Sequence, residues 1–183
     1  GPCRLGQYCQ LLSDAMDGQK CSMNWIVLDS PAVIGKKEFM TRLKALKGSR
    51  NLSAAKTIRM VRKARKLMLR MDLLEEQCFF MAGYVRNPAE IVALRRNLFK
   101  ELGEAGSFKE AFRIMDCYEA LTDRVRTRRK ADPVRLALTG EIYTCIEPFA
   151  NHNIEETLMN MGVSFQKTMT LSWWAGYTAK SAL

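Results

Sequence analysis

The 183 residues are enough to bury one medium core or two small lobes, and a hydrophobic content of 48% is that of an ordinary globular protein. No stretch approaches the roughly 20 apolar residues of a membrane helix, and neither a basic head nor an apolar signal run opens the sequence, so a soluble cytoplasmic protein is expected. The net charge of +10 is concentrated in the middle, where residues 36–130 carry 24 Lys/Arg against 11 Asp/Glu. A solvated helix surface accounts for that excess, and so does a field that draws nucleic acid, an anionic membrane or a phosphorylated cofactor.

In chain order, Leu5, Cys9, Leu12 and Met16 recur at helical spacing and Gly18 follows as a stop, which predicts a first helix over 5–17. The apolar run Trp25-Ile26-Val27-Leu28, ended by Asp29-Ser30-Pro31, reads as a buried strand over 24–28. From 36 to 130 the pattern is helical, with three or four helices. Ile58, Val61, Met68 and Met71 form an apolar stripe beside Arg59, Arg62, Lys63, Lys66 and Arg70. Asn87-Pro88-Ala89-Glu90 and Ser107-Phe108-Lys109-Glu110 are helix starts with capping residues, ahead of Ile91, Leu94 and Leu98 in one case and Phe112, Met115, Leu121 and Val125 in the other.

After Asp132-Pro133 the texture changes to strand, helix, strand, helix: strands over 134–139 and 163–167, a helix from Asn153-Ile154-Glu155-Glu156 to Gly162, and a last helix over 171–183. The expected architecture is therefore α/β, a small parallel three-layer sheet of Rossmann or flavodoxin type. The sheet lobe is made of 1–35 and 131–183, and a large basic helical insertion spans 36–130.

In such a sheet, ligands bind at the carboxyl ends of the strands, which is where the segment 140–152 falls. It gathers Gly140, Glu141, Glu147 and Asn151 beside an expected helix start, so Glu141 and Asn151 are the candidate catalytic groups; a plain connection with a turn and a cap is the competing reading. The six cysteines at 3, 9, 21, 78, 117 and 145 include no CxxC pair and have one histidine, His152, for company, which argues against a zinc site and for reduced thiols. Cys9, Cys21, Cys78 and Cys117 fall in apolar patterns and read as small core residues. Met60, Met68, Met71 and Met81 read as gap fillers between helices, His152 as a polar neighbour of a helix start, and Trp173-Trp174 as core or as a partner surface.

The runs Gly140-Glu141-Ile142-Tyr143 and Pro148-Phe149-Ala150-Asn151, together with the opening Gly1-Pro2-Cys3-Arg4-Leu5-Gly6-Gln7-Tyr8, resemble the signatures of an uncharacterised bacterial family related to the 2-hydroxyacyl-CoA dehydratases. The resemblance covers most of the chain. It implies an iron–sulfur protein in which Cys3 is a ligand of a [4Fe–4S] cluster, with Arg4 and Gly140 beside the cofactor and the other ligands outside this stretch. Cys145 matches no ligand cysteine of that family. The resemblance further implies an ATP-dependent activator as electron donor and an acyl-CoA substrate. Because the sequence opens inside a motif, it reads as a fragment that by itself lacks the cluster and is inactive. The alternative is a non-enzymatic basic module binding nucleic acid or a protein through 56–70 and 124–130, but no recognition helix and no interleaved aromatic residues accompany those cations, so nucleic acid is not the expected partner.

Overall fold

Residues 5–19, 31–45, 52–127 and 132–180 are described by a computed structural model. The chain divides into two compact units, Gly1–Arg59 with Trp173–Leu183, and Met60–Ser172. In the first unit, helix α1 (Leu5–Gly18) ends at the expected glycine. Helix α2 (Pro31–Ala45) is interrupted at Gly35, whose φ of 79° breaks the helical path, and Arg42 pairs with Glu38 one turn back at 2.9 Å. The expected strand 24–28 and residues Cys3, Arg4 and Cys21 lie outside the described residues.

The second unit contains the described core. Helix α3 (Ala54–Ala82) begins among the residues of the first unit, where the Ser53 hydroxyl accepts a hydrogen bond from the Lys56 amide at 3.2 Å. Its buried face is made by Leu74, Cys78, Phe79 and Ala82, with Leu67 and Met71 partly covered, a run of three- and four-residue steps. The stripe read from the sequence is correct from Met68 onward only. Ile58 and Val61 are 43% and 48% exposed and Met60 is exposed too, so that end of α3 presents its apolar residues to solvent instead of filling a gap.

Helix α4 (Pro88–Glu104) and helix α5 (Phe108–Asp123) begin at the expected caps. The Asn87 side chain accepts from the Ala89 amide and that of Ser107 from the Glu110 amide. Ile91, Val92 and Leu98 of α4 are buried; on α5 the buried set is Ala111, Ile114, Met115, Tyr118 and Thr122. Leu121, expected in the core, is 43% exposed, and Cys117 is exposed as well, because α5 turns Tyr118 and Thr122 inward in their place. The Tyr118 hydroxyl donates to the Glu101 carboxylate at 2.6 Å, and Thr122 Oγ1 donates to the Tyr118 carbonyl at 2.8 Å, so both buried polar groups are satisfied.

Between 36 and 130 the described residues form helices and no strand, with one isolated bridge between Val85 and Thr127. Strand β1 (Arg135–Leu138) follows, then the short helix α6 (Ile142–Ile146), helix α7 (Ile154–Asn160) and strand β2 (Ser164–Lys167). The strands pair in parallel, from Arg135 with Ser164 to Leu138 with Lys167. Helix α8 (Leu171–Lys180) follows. The architecture among the described residues is thus mostly helical with a two-stranded parallel sheet, broadly α/β.

Two clusters make the core of this unit. One joins Phe79, Ala82 and Val85 to Ile91 and Val92, to Leu158 and Met159 of α7, and to Val163 and Phe165 at β2; the other joins Leu74 to Leu98, Ile114, Met115 and Tyr118. Each large apolar side chain buried in this way contributes about 1.5–3 kcal/mol.

The close approach of α3 to the sheet depends on Gly83. A Cβ there would lie 2.6 Å from the Pro133 Cβ and 2.8 Å from the Ser164 backbone nitrogen, and that nitrogen already donates to the Val134 carbonyl at 3.0 Å. Gly83→Ala is accordingly expected to lower unfolding free energy by about 1–3 kcal/mol, the usual effect of overpacking, as measured by urea denaturation. An unchanged midpoint would mean that Pro133 moves aside freely.

Candidate functional site

The carboxyl ends of β1 and β2 open into a cleft of about 110 Å³ lined by Leu138, Thr139, Gly140, Thr144, Cys145, Asn151, Ile154, Glu155 and Lys167. It lies where a parallel strand pair directs its loops, the usual place for a ligand in an α/β protein. Each wall has a local cause. The 140–152 connection is not one long loop, because Glu141 caps α6: its carboxylate accepts from the Thr144 amide at 3.0 Å and lies 3.4 Å from the Thr144 hydroxyl. Glu147 closes that helix, and its carboxylate accepts from the Phe149 amide at 3.2 Å.

Asn151, not Asn153, caps α7. The Asn151 Oδ1 accepts from the Ile154 amide at 3.3 Å, while Asn153 sits at φ 54° with no capping bond from its side chain. The chain turns here through two successive left-handed residues, His152 and Asn153, both of types that tolerate that conformation. The helix start read at Asn153 therefore takes its side-chain cap from two residues earlier. Glu155, in the first turn of α7, is turned into the protein.

Glu155 is the charge on which the cleft is built. Its side chain is 4% exposed and accepts from Lys167 Nζ at 2.9 Å, and the Lys167 side chain is itself 11% exposed. The Asn151 amide donates to the same Glu155 oxygen at 3.3 Å, so a single residue caps α7 and holds the buried pair. Lys167 also stands 5.9 Å from the centre of the Phe79 ring. A buried ion pair with further hydrogen bonds fixes geometry more than it adds stability, which suits a cleft floor.

Of the residues expected at the site, Gly140 and Asn151 line the cleft and Glu141 stands beside it as a helix cap. Gly140 has an ordinary φ, and a Cβ added to it would meet the Cys145 sulfur at 3.5 Å, an ordinary contact. Cys145, read as a loop thiol near the site, is in the cleft wall. Burial pushes its thiol up, with Lys167 acting in the opposite direction, so it stays protonated and weakly nucleophilic. His152 is exposed. The sequence reading missed Lys167 and Glu155; the available signal was a lysine closing the carboxyl end of a strand that follows a helix opening with two glutamates.

Cys9, Cys78, Cys117 and Cys145 are free thiols, and burial pushes Cys78 up to about 12. Among the described residues no three His, Cys, Asp or Glu side chains come together as a group able to hold a metal ion, so these residues do not by themselves form a cluster site. Cys3, the expected ligand, lies outside them. No helix among the described residues is long and apolar enough to cross a membrane. Compared with protein-family models, curated proteins and solved structures, the chain matches none.

Proposed function

We propose that this chain is the substrate-side part of an iron–sulfur redox protein resembling the 2-hydroxyacyl-CoA dehydratases. In this reading Cys3 gives one thiolate to a [4Fe–4S] cluster, Arg4 offsets the cluster's negative charge, and the remaining ligands come from elsewhere. The Gly140–Asn151 segment borders an acyl-CoA substrate, with Asn151 and Glu141 as its polar groups. The cations of 36–130 attract the CoA phosphates or an ATP-dependent activator that donates the electron, in the cytoplasm. When bound, the cluster would supply Lewis acidity and one-electron chemistry. The chain's own contribution is to hold Asn151 fixed and to bury the cleft floor.

The observation that supports the reading is the cleft at the carboxyl edge of a parallel strand pair, floored by a buried Lys167–Glu155 pair that also anchors Asn151. We propose further that the strand pair belongs to a three-layer parallel sheet of Rossmann or flavodoxin type, with helices on both faces. Leu136 of β1 is 44% exposed and Val134, just before the strand, is 64% exposed, so the apolar side chains there leave room for such a layer. Slow hydrogen exchange at the amides of 25–28, the further strand read from the sequence, is expected, and exchange at the rate of an open chain would remove that reading.

The functional test is anaerobic reconstitution with iron and sulfide. The protein as the cell makes it should take up about four irons and show a [4Fe–4S] absorption spectrum, both lost in Cys3→Ser, while the isolated 183-residue chain stays iron-free. No iron in the cell-made protein, or an unchanged content in Cys3→Ser, would overturn the reading.

A further inference from the structure

A second and larger cavity, about 260 Å³, also has Lys167 in its wall, and its chemistry differs from that of the first cleft. Met68, Met71, Tyr143, Ile146 and Leu171 give it an apolar lining, and four carboxylates, Asp72, Glu75, Glu76 and Glu147, border it. In a chain of net charge +10 this is a local reversal of sign.

The charges resolve pair by pair. Arg95 meets Glu75 at 2.6 Å and Lys167 meets Glu155 at 2.9 Å, so those four cancel. Burial raises the Glu75 carboxyl and Arg95 opposes the rise, which fits a carboxylate held inside the wall. Asp72 accepts from the Ser172 amide at 2.7 Å and Glu147 from the Phe149 amide at 3.2 Å, but neither meets a cation among the described residues. Glu76 has no hydrogen-bond or ion-pair partner among the described residues. Three carboxylates around an apolar hollow are therefore uncompensated among the described residues.

We propose that this cavity binds a small organic cation, a primary ammonium carrying an apolar body. The carboxylates do not converge as a metal-holding group among the described residues, so a bare ion is not what they frame. A quaternary ammonium suits the site less well for two reasons. It has no N–H to give to carboxylates, and the Phe79 and Phe99 rings that would face it are already covered by the Arg95 guanidinium, 5.4 Å and 5.2 Å from their centres. The cavity falls just below the roughly 300 Å³ at which pockets for drug-sized ligands begin, so the ligand is small.

The test is calorimetric titration of the whole chain at neutral pH and low salt with 2-phenylethylamine, its N,N,N-trimethyl analogue and 3-phenylpropionate. The primary amine should bind saturably at one site and more tightly than either of the others. Glu76→Gln and Glu147→Gln should each weaken it by about 3- to 10-fold. Both variants keep an acceptor oxygen and remove only charge, and unchanged far-UV circular dichroism checks that they fold. If one does not, the other carries the comparison. Equal binding of the carboxylate, tighter binding of the quaternary amine, unaltered affinity in a folded variant, or no saturable binding of the primary amine at millimolar concentration would each overturn the proposal.

Discussion

Lys167→Met is expected to lower the unfolding free energy by about 3–5 kcal/mol, because it removes one partner of a buried ion pair and leaves the other charged. The Glu155 side chain is 4% exposed, and without Lys167 its remaining donor is the Asn151 amide at 3.3 Å. One neutral hydrogen bond does not compensate a carboxylate withdrawn from water. Replacing both residues, Glu155→Leu with Lys167→Met, should recover most of the loss, since two apolar side chains in contact leave no orphan charge. Urea denaturation of the two single variants and the double variant measures the coupling. A loss below about 1 kcal/mol in Lys167→Met would show that water reaches the pair and that it behaves as a surface salt bridge.

Phe165→Ala should cost a similar amount, about 3–5 kcal/mol, by a different mechanism. Phe165 is 1% exposed in β2, and its ring stacks on that of Phe79 with centroids 4.6 Å apart and planes at 22°. That contact joins the long helix α3 to the sheet, so removing the ring opens a cavity between elements that cannot collapse onto one another without moving Gly83 and Pro133. Phe165→Leu, which keeps most of the bulk, should lose clearly less. The denaturation midpoint should shift while its slope stays constant. A cost of about 1 kcal/mol or less for the alanine variant would mean that α3 closes the gap.

The helix boundaries at Asn87, Ser107 and Gly18 were legible because each rests on chemistry local to a few residues: a side-chain acceptor at an N-cap, a proline at a first turn, a glycine at a stop. The two described strands and the cleft at their carboxyl ends were legible for a related reason: one is a short apolar run followed by turn residues, the other an alternating segment that follows the helix stop at Gly162. What the sequence hid depends on partners far along the chain. Helix α6 is five residues long, too short for a helical period to show against its flanking loop. Asn151 and Asn153 are equally good caps by residue type, and only the left-handed turn through His152 and Asn153 decides between them. The Glu155–Lys167 pair exists because α7 packs beside β2 and the register puts Lys167 opposite Leu138, which no local pattern encodes. Cys117 and Leu121 were misread for want of knowing which face of α5 meets α4, where Tyr118 turns its hydroxyl to Glu101.

The division of the chain has a spectroscopic corollary. All three tryptophans, Trp25, Trp173 and Trp174, belong to the unit of Gly1–Arg59 and Trp173–Leu183; Met60–Ser172 contains none, but does contain Tyr84, Tyr118 and Tyr143. Tryptophan emission therefore reports mainly on one unit, while far-UV dichroism sums over the helices of both. Recorded on one sample against urea, the two signals coincide only if the units unfold in a single cooperative step. Separated curves would let the stability changes expected for Lys167→Met and Phe165→Ala be read in the dichroism alone, with the indole signal of the same cuvette serving as an internal control.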